Sequence, residues 1–263
     1  MMEVSDRVDR QKYRTQEYWE ERFQHESQVN EDNENSNGAH EWFSTYHSFS
    51  HIVTEICPPD KYKRILVPGN GNSSLCAELV EDYPKSQIIG EDFSPSVIQY
   101  MSEKYNEKSN LSWFVGDIRD IQLHGASNTE NLLYDMIIEK GVIDALVAGS
   151  KSPYASYLDP ECLIDVEQTL LSIRKSLHRE GRFLSISFAS PMIRLPLLSG
   201  VFEILVHSYI SEMSGFEYYV YECINSICDN DVDFRKNMEN EILNSDPVDL
   251  PETDPLAIGD VFA

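Results

Sequence analysis

The chain has 263 residues, 41% of them hydrophobic, and a formal net charge of −24. That length and apolar content suffice for a substantial core and favour one domain with appendages; the charge weighs against nucleic acid, because a polyanion is repelled before specific contact forms, and suits a basic protein partner. No apolar run is long enough to span a bilayer, so no membrane partner is expected, and five cysteines without C-x-x-C spacing suggest neither a disulfide framework nor a metal site but a reducing compartment, the cytoplasm.

The opening stretch, Met1 to Gln11, is charged and lacks the apolar segment of a secretory leader. Tyr13 to Phe23 follows helical spacing, with Trp19 and Phe23 at i, i+4 on one face. Residues 25–38 are polar and acidic with no periodicity, which predicts a surface loop or disordered insert. An aromatic helical pattern restarts at Glu41-Trp42-Phe43 and continues through Phe49, Ile52, Val53 and Ile56 until Pro58-Pro59 stops it. Residues 1–62 therefore read as an N-terminal helical cap.

From Lys63 onward, short apolar strands alternate with amphipathic helices, the pattern of a parallel sheet. Strands are expected at Arg64 to Val67, Gln87 to Gly90, Leu111 to Val115, Tyr134 to Glu139 and Arg182 to Phe188. Helices are expected at about Ser73 to Asp82, from Pro95 to about Lys104 behind the N-cap Ser94, and over Cys162 to Leu177. Glu180-Gly181 reads as the turn into the fifth strand, and Phe202 to Ile210 and Phe216 to Ile224 as an antiparallel pair. The expected fold is α/β: a Rossmann-like, mostly parallel seven-stranded sheet with an antiparallel last strand and helices on both faces. Its core spans 63–228, and 229–263 reads as a disordered acidic tail.

The first strand runs into Gly69-Asn70-Gly71-Asn72-Ser73-Ser74. Glycines there allow a tight turn and close approach of a ligand to the main chain, while the N–H groups opening the next helix stand unpaired. Ligands of open parallel sheets bind beyond the carboxyl ends of the strands, and three acidic residues fall at such ends. Asp92 ends the second strand, 21 residues after Gly71, the spacing at which a carboxylate takes ribose hydroxyls. Asp117 follows the third strand, and Glu139 ends the fourth. Ser74 stands where a dinucleotide fold would place its third glycine, and no Walker lysine is present. S-adenosylmethionine, which needs ribose, adenine and amino-acid contacts but no pyrophosphate cradle, fits what remains.

Gly69-Asn70-Gly71-Asn72-Ser73, Glu91-Asp92-Phe93-Ser94, Tyr18-Trp19-Glu20-Glu21-Arg22-Phe23 and above all Glu139-Lys140-Gly141-Val142-Ile143-Asp144-Ala145 carry a resemblance. The chain resembles the seven-β-strand S-adenosylmethionine-dependent methyltransferases, in the subgroup of elongation factor 1-alpha lysine methyltransferase 4 and its methyltransferase-like relatives. The resemblance implies a protein-lysine methyltransferase, working as a monomer on elongation factor 1-alpha, with S-adenosylhomocysteine as product. It implies that Gly69, with Asn70 and Gly71 beside it, lines the methionine portion of the cofactor and that Asp92 takes the ribose. Phe93 would meet an adenine face, Asp117 and Ile118 the adenine edge, and Lys140 the cofactor at the end of the fourth strand. Trp19, Phe23 and Trp42 would close the pocket, as suits a sulfonium cation. Glu139 would orient the substrate amine, and Tyr154 and Tyr157 would sit on a substrate-facing lip. The other readings left open are a small-molecule methyltransferase and a cofactor-binding interaction module without turnover.

Overall fold

A computed structural model describes residues 10–32, 41–124, 132–150, 152, 158–212, 214–225, 234 and 236. Its strands are β1 (Arg64–Pro68), β2 (Gln87–Asp92), β3 (Leu111–Val115), β4 (Tyr134–Lys140), β5 (Leu177–Ser187), β6 (Glu203–Ile210) and β7 (Glu217–Ile224). The helices are α1 (Gln16–Asp32), α2 (Ser50–Ile56), α3 (Leu75–Asp82), α4 (Pro95–Lys104), α5 (Val142–Val147), α6 (Pro160–Ser176) and α7 (Pro191–Leu198).

The strands form one sheet in the order β3-β2-β1-β4-β5-β7-β6. β1 to β5 are parallel, and β7 is antiparallel to both β5 and β6, so the expected Rossmann-like fold with its antiparallel last strand is present. The chain moves outward from β1 to β3 and then returns to place β4 on the other side of β1, which opens a crevice above β1 and β4. Alternation along the strands feeds two cores. Leu66, Ile89, Ile137 and Phe183 pack with Val166 and Leu170 of α6, whereas Ile65, Val67, Ile88 and Met136 pack with Val53 of α2 and Leu79 of α3. Helices on both faces explain why these strands read as nearly continuous apolar runs.

Several local expectations need correction. The polar stretch starting at His25 is helical as far as Asp32; Glu26 there accepts from Arg22 Nε one turn back in α1 at 2.8 Å and from Asn72 Nδ2, outside the helix, at 2.8 Å. Residues 33–40 lie outside the described part. The pattern from Glu41 to Ile56 is not one helix: Phe43 has φ of 68°, a 3-10 turn spans Tyr46–Ser48, and only Ser50–Ile56 is α-helical. Glu180-Gly181 is no turn but part of β5, where a register shift between Tyr134 and Met136 absorbs it. The short α5 and the proline-containing α7 were not foreseen. Tyr154, Tyr157 and nearly all of 229–263 lie outside the described residues. Within that tail, however, Phe234 is packed at 3% exposure against Gly200, so the chain is anchored at least there.

Candidate active site

The turn after β1 shapes the crevice. Gly69 and Gly71 have φ of 63° and 55°, a region costly for residues with a Cβ. A Cβ on Gly69 would also stand 2.4 Å from Val142 Cγ2. The Gly71 N–H donates to Asp92 Oδ2 at 2.9 Å, and the Ser94 N–H donates to Oδ1 at 3.0 Å. Burial pushes the Asp92 carboxyl up to about 6, with those two N–H groups holding it back. Asn70 donates its amide to the carbonyls of Gly71 and Ser73, at 3.0 and 3.2 Å, which leaves its buried Oδ1 without a partner among the described residues. An orphaned acceptor at the turn is what a ligand donor would satisfy.

The opposite wall comes from the N-terminal segment. Trp19 packs on Phe23 at 5.7 Å and on Trp42 at 5.3 Å between ring centroids. The Arg22 guanidinium lies 5.5 Å from the Trp19 ring, and the indole N–H of Trp19 donates to the Tyr13 carbonyl at 2.8 Å. Glu20 secures this wall from α1 by accepting the Ser94 hydroxyl at 2.5 Å and that of Ser96, at the start of α4. Gln16 donates to the Phe93 carbonyl. Glu41 accepts the Ser74 N–H at 2.7 Å and both the Ser73 and Ser74 hydroxyls, so a residue far back in the chain caps α3.

Together these walls enclose a cleft that is partly open to solvent. Trp19, Phe23, Trp42, Gly69, Asn70, Gly71, Asp92, Phe93, Asp117, Ile118 and Lys140 all lie on its lining. Three expected contacts take another form. Lys140 points its ammonium at the N-terminal segment, donating to Glu41 Oε2 at 2.7 Å and to the carbonyls of Trp42 and Ser44 at 2.9 and 3.1 Å. Breaking that buried pair by removing one partner would cost about 3–5 kcal/mol. Asp117 has both oxygens gripped by Arg119, Nε at 2.9 Å and Nη2 at 2.6 Å; burial opposes its charge, but these bonds hold the carboxyl below its ordinary range.

Glu139 does not line the cleft. It is fully buried, with Oε1 accepting from the Ser185 hydroxyl and Oε2 from the Val142 N–H at 2.8 Å, so neither oxygen is presented to a substrate amine. Burial, with a lesser push from Asp144, raises its carboxyl to about 7. Asp144 accepts from Ser187 and Arg194, each at 2.7 Å. Glu139 and Asp144 are thus a buried bracket joining β4, β5, α5 and α7, while Lys140, Gly141, Val142 and Ala145 of the same segment line the cleft.

Sequence reasoning missed Tyr13, Arg14, Arg22, Glu26 and Arg119 on the lining. Arg22 and Glu26 could have been found, since they sit at i, i+4 next to Trp19 and Phe23 on the same helix. Among the described residues, no group of three or more His, Cys, Asp or Glu side chains is placed to hold a metal ion.

A glycine turn at the point where the sheet reverses, a carboxylate ending β2 and an aromatic wall define an α/β protein with a crevice for a nucleoside-like ligand. The chain belongs to the methyltransferase domain family, which matches residues 59–241. EEF1A lysine methyltransferase 4 of Mus musculus is 32% identical over 185 residues, covering 70% of this chain and 64% of that protein. The Bos taurus protein of the same name is 30% identical over 184 residues, covering 69% and 64%. The chain thus spans just under two thirds of the length of these relatives. Of the solved structures, TrmN from Thermus thermophilus has a TM-score of 0.47 and 15% identity, over 66% of this chain and 47% of that one.

Proposed function

We propose that this protein is an S-adenosylmethionine-dependent protein-lysine N-methyltransferase that acts on translation elongation factor 1-alpha in the cytoplasm. The observation that carries the reading is the cleft in which the Gly69–Gly71 turn and Asp92 face Trp19, Phe23 and Trp42. The residues fit the cofactor. Asp92 keeps acceptor capacity for ribose hydroxyls beyond the two N–H groups it already binds. The orphaned Asn70 Oδ1 offers an acceptor to the amino-acid end, and the indoles favour a sulfonium cation while excluding water.

When bound, the cofactor supplies an electrophilic methyl group for in-line transfer to an amine. The chain contributes alignment and a dry surround, which lowers the pKa of an entering lysine toward the neutral, nucleophilic form. Glu139, enclosed within the fold, serves as a support of the α5 start and not as an orienter. Lys140 holds Trp42 in place through its carbonyl. The names of the mouse and bovine relatives favour elongation factor 1-alpha as target, and the charge of −24 suits so basic a partner.

The test is incubation of the purified chain with tritiated methyl donor and a cell lysate lacking the enzyme. Label in one protein band of elongation-factor size, assigned to a lysine by mass spectrometry, supports the reading. Label in small molecules alone would replace it with a small-molecule methyltransferase, and donor binding without label would replace it with an interaction module.

A further inference from the structure

Helix α6 carries Asp165 at 7% exposure, off the cleft lining, between two arginines that belong to different walls of the cleft. Its Oδ2 accepts from Arg14 Nη2 at 2.6 Å and Nε at 2.8 Å. Its Oδ1 accepts from Arg119 Nη1 at 3.2 Å. Arg119 in turn grips both oxygens of Asp117. Arg14 ends the 3-10 turn Gln11–Arg14, which contains Tyr13, whose carbonyl holds the Trp19 indole. One carboxylate therefore ties the aromatic wall to the Asp117 wall through an alternating row of charges, Arg14, Asp165, Arg119 and Asp117.

We infer that Asp165 is a positioning residue for cofactor binding, a clasp that touches no ligand but holds the two walls of the cleft together by bridging Arg14 and Arg119. The inference rests on the reading of the cleft as the methyl-donor site. Charge-assisted, partly buried bonds of this kind are stronger than exposed ion pairs, and a carboxylate oxygen for each arginine is what Asn cannot offer. Without the clasp, Arg119 keeps its bonds to Asp117 but loses its hold on α6, and the Gln11–Arg14 turn keeps on α6 the longer 3.2 Å bond from Arg14 Nη1 to the exposed Glu161 in place of the two-pronged grip on Asp165. The ligand then escapes faster from a cleft whose contact groups are all still present. A merely structural ion pair would lower the stability of the ligand-free protein but leave escape from the folded protein unchanged, so the release rate decides.

The experiment compares the full chain with Asp165→Asn, Asp165→Glu, Arg14→Gln and the Arg14→Gln/Asp165→Asn double variant. S-adenosylhomocysteine affinity is measured by calorimetry, its release by stopped-flow, and ligand-free melting by calorimetric scan. Asp165→Asn is expected to weaken binding by about tenfold, mostly through faster release, and also to lower ligand-free melting, because it takes one partner out of a buried ion-pair row. Asp165→Glu should recover part of the loss, and the double variant should bind no more weakly than the weaker single variant. In turnover, the KM for the methyl donor should rise while kcat at saturation stays near that of the unaltered chain. Unaltered release from Asp165→Asn, or additive losses in the double variant, would overturn the clasp. Should Asp165→Asn not fold, Asp165→Glu decides, since it too lies off the lining: faster release supports the clasp, and wild-type release overturns it. Failure of the unaltered chain to bind S-adenosylhomocysteine would instead sink the reading of the cleft, and this inference with it.

Discussion

Two carboxyl groups with raised pKa values have opposite relations to the cleft. Asp92 lies on it, with its carboxyl pushed by burial from the usual 3.8 to about 6. Between those values the folded protein holds a proton that the unfolded chain has released, so ionising Asp92 costs stability as pH rises toward about 6. A ribose donating hydrogen bonds prefers the ionised form. S-adenosylhomocysteine affinity should therefore fall as pH drops through about 6, and binding near that pH should release protons. Calorimetry in buffers of different ionisation enthalpy measures both, and Asp92→Asn should flatten the profile while weakening binding at least tenfold at neutral pH, on the order of one lost charge-assisted bond. A pH-independent affinity in the unaltered chain would remove Asp92 as the acceptor. Glu139, raised by burial to about 7, faces away from the cleft, and its ionisation likewise costs stability as pH rises from 4.5 through about 7. Glu139→Gln should keep turnover within about threefold, as a change off the reacting surface does, and should abolish the part of the pH-dependent melting due to this group. A large loss of kcat with donor binding intact would restore Glu139 to the reaction.

Among the elements, the turn after β1 combines two demands on one residue. Gly69 has φ of 63° and its missing Cβ leaves room for Val142 Cγ2, so Gly69→Ala strains the turn and pushes on the first residue of α5. The expected loss is about 1–3 kcal/mol in stability, read as a lower melting temperature together with weaker S-adenosylhomocysteine binding. The sheet itself was legible from the sequence because helices on both faces force apolar strands, and Ser94-Pro95 announced α4 by local capping chemistry. The aromatic stretch after Glu41 misled, because helical spacing says nothing of Lys140, whose ammonium draws the Trp42 and Ser44 carbonyls out of any helical ladder. Similarly, α5 is only six residues long, and its first N–H is held by the side chain of Glu139 three residues before it, a contact invisible to periodicity. Asp92 was legible because its spacing from Gly71 reflects βαβ geometry, whereas Arg119 and Asp165 meet only after the chain has folded.

The whole molecule adds a charge of −24 and a binding cleft assembled from distant parts of the chain. For a basic protein substrate, methylation at sub-saturating substrate should slow several-fold between about 50 and about 300 mM salt. S-adenosylhomocysteine affinity should change little over the same range, and equal sensitivity of both would indicate a general effect of salt on the fold. The partners in the N-terminal wall lie far apart in sequence: Arg14 and Asp165 are separated by 151 residues and Glu41 and Lys140 by 99, whereas the paired β1 and β2 are joined across a separation of 23 at Arg64 and Gln87. Closing long loops is slower than closing short ones. A chain diluted from denaturant should thus regain its sheet signal first, and the docking of the aromatic wall onto the cleft, read by ligand binding, later. The aromatic wall, though written earliest in the sequence, is then the last part of the molecule to take its place.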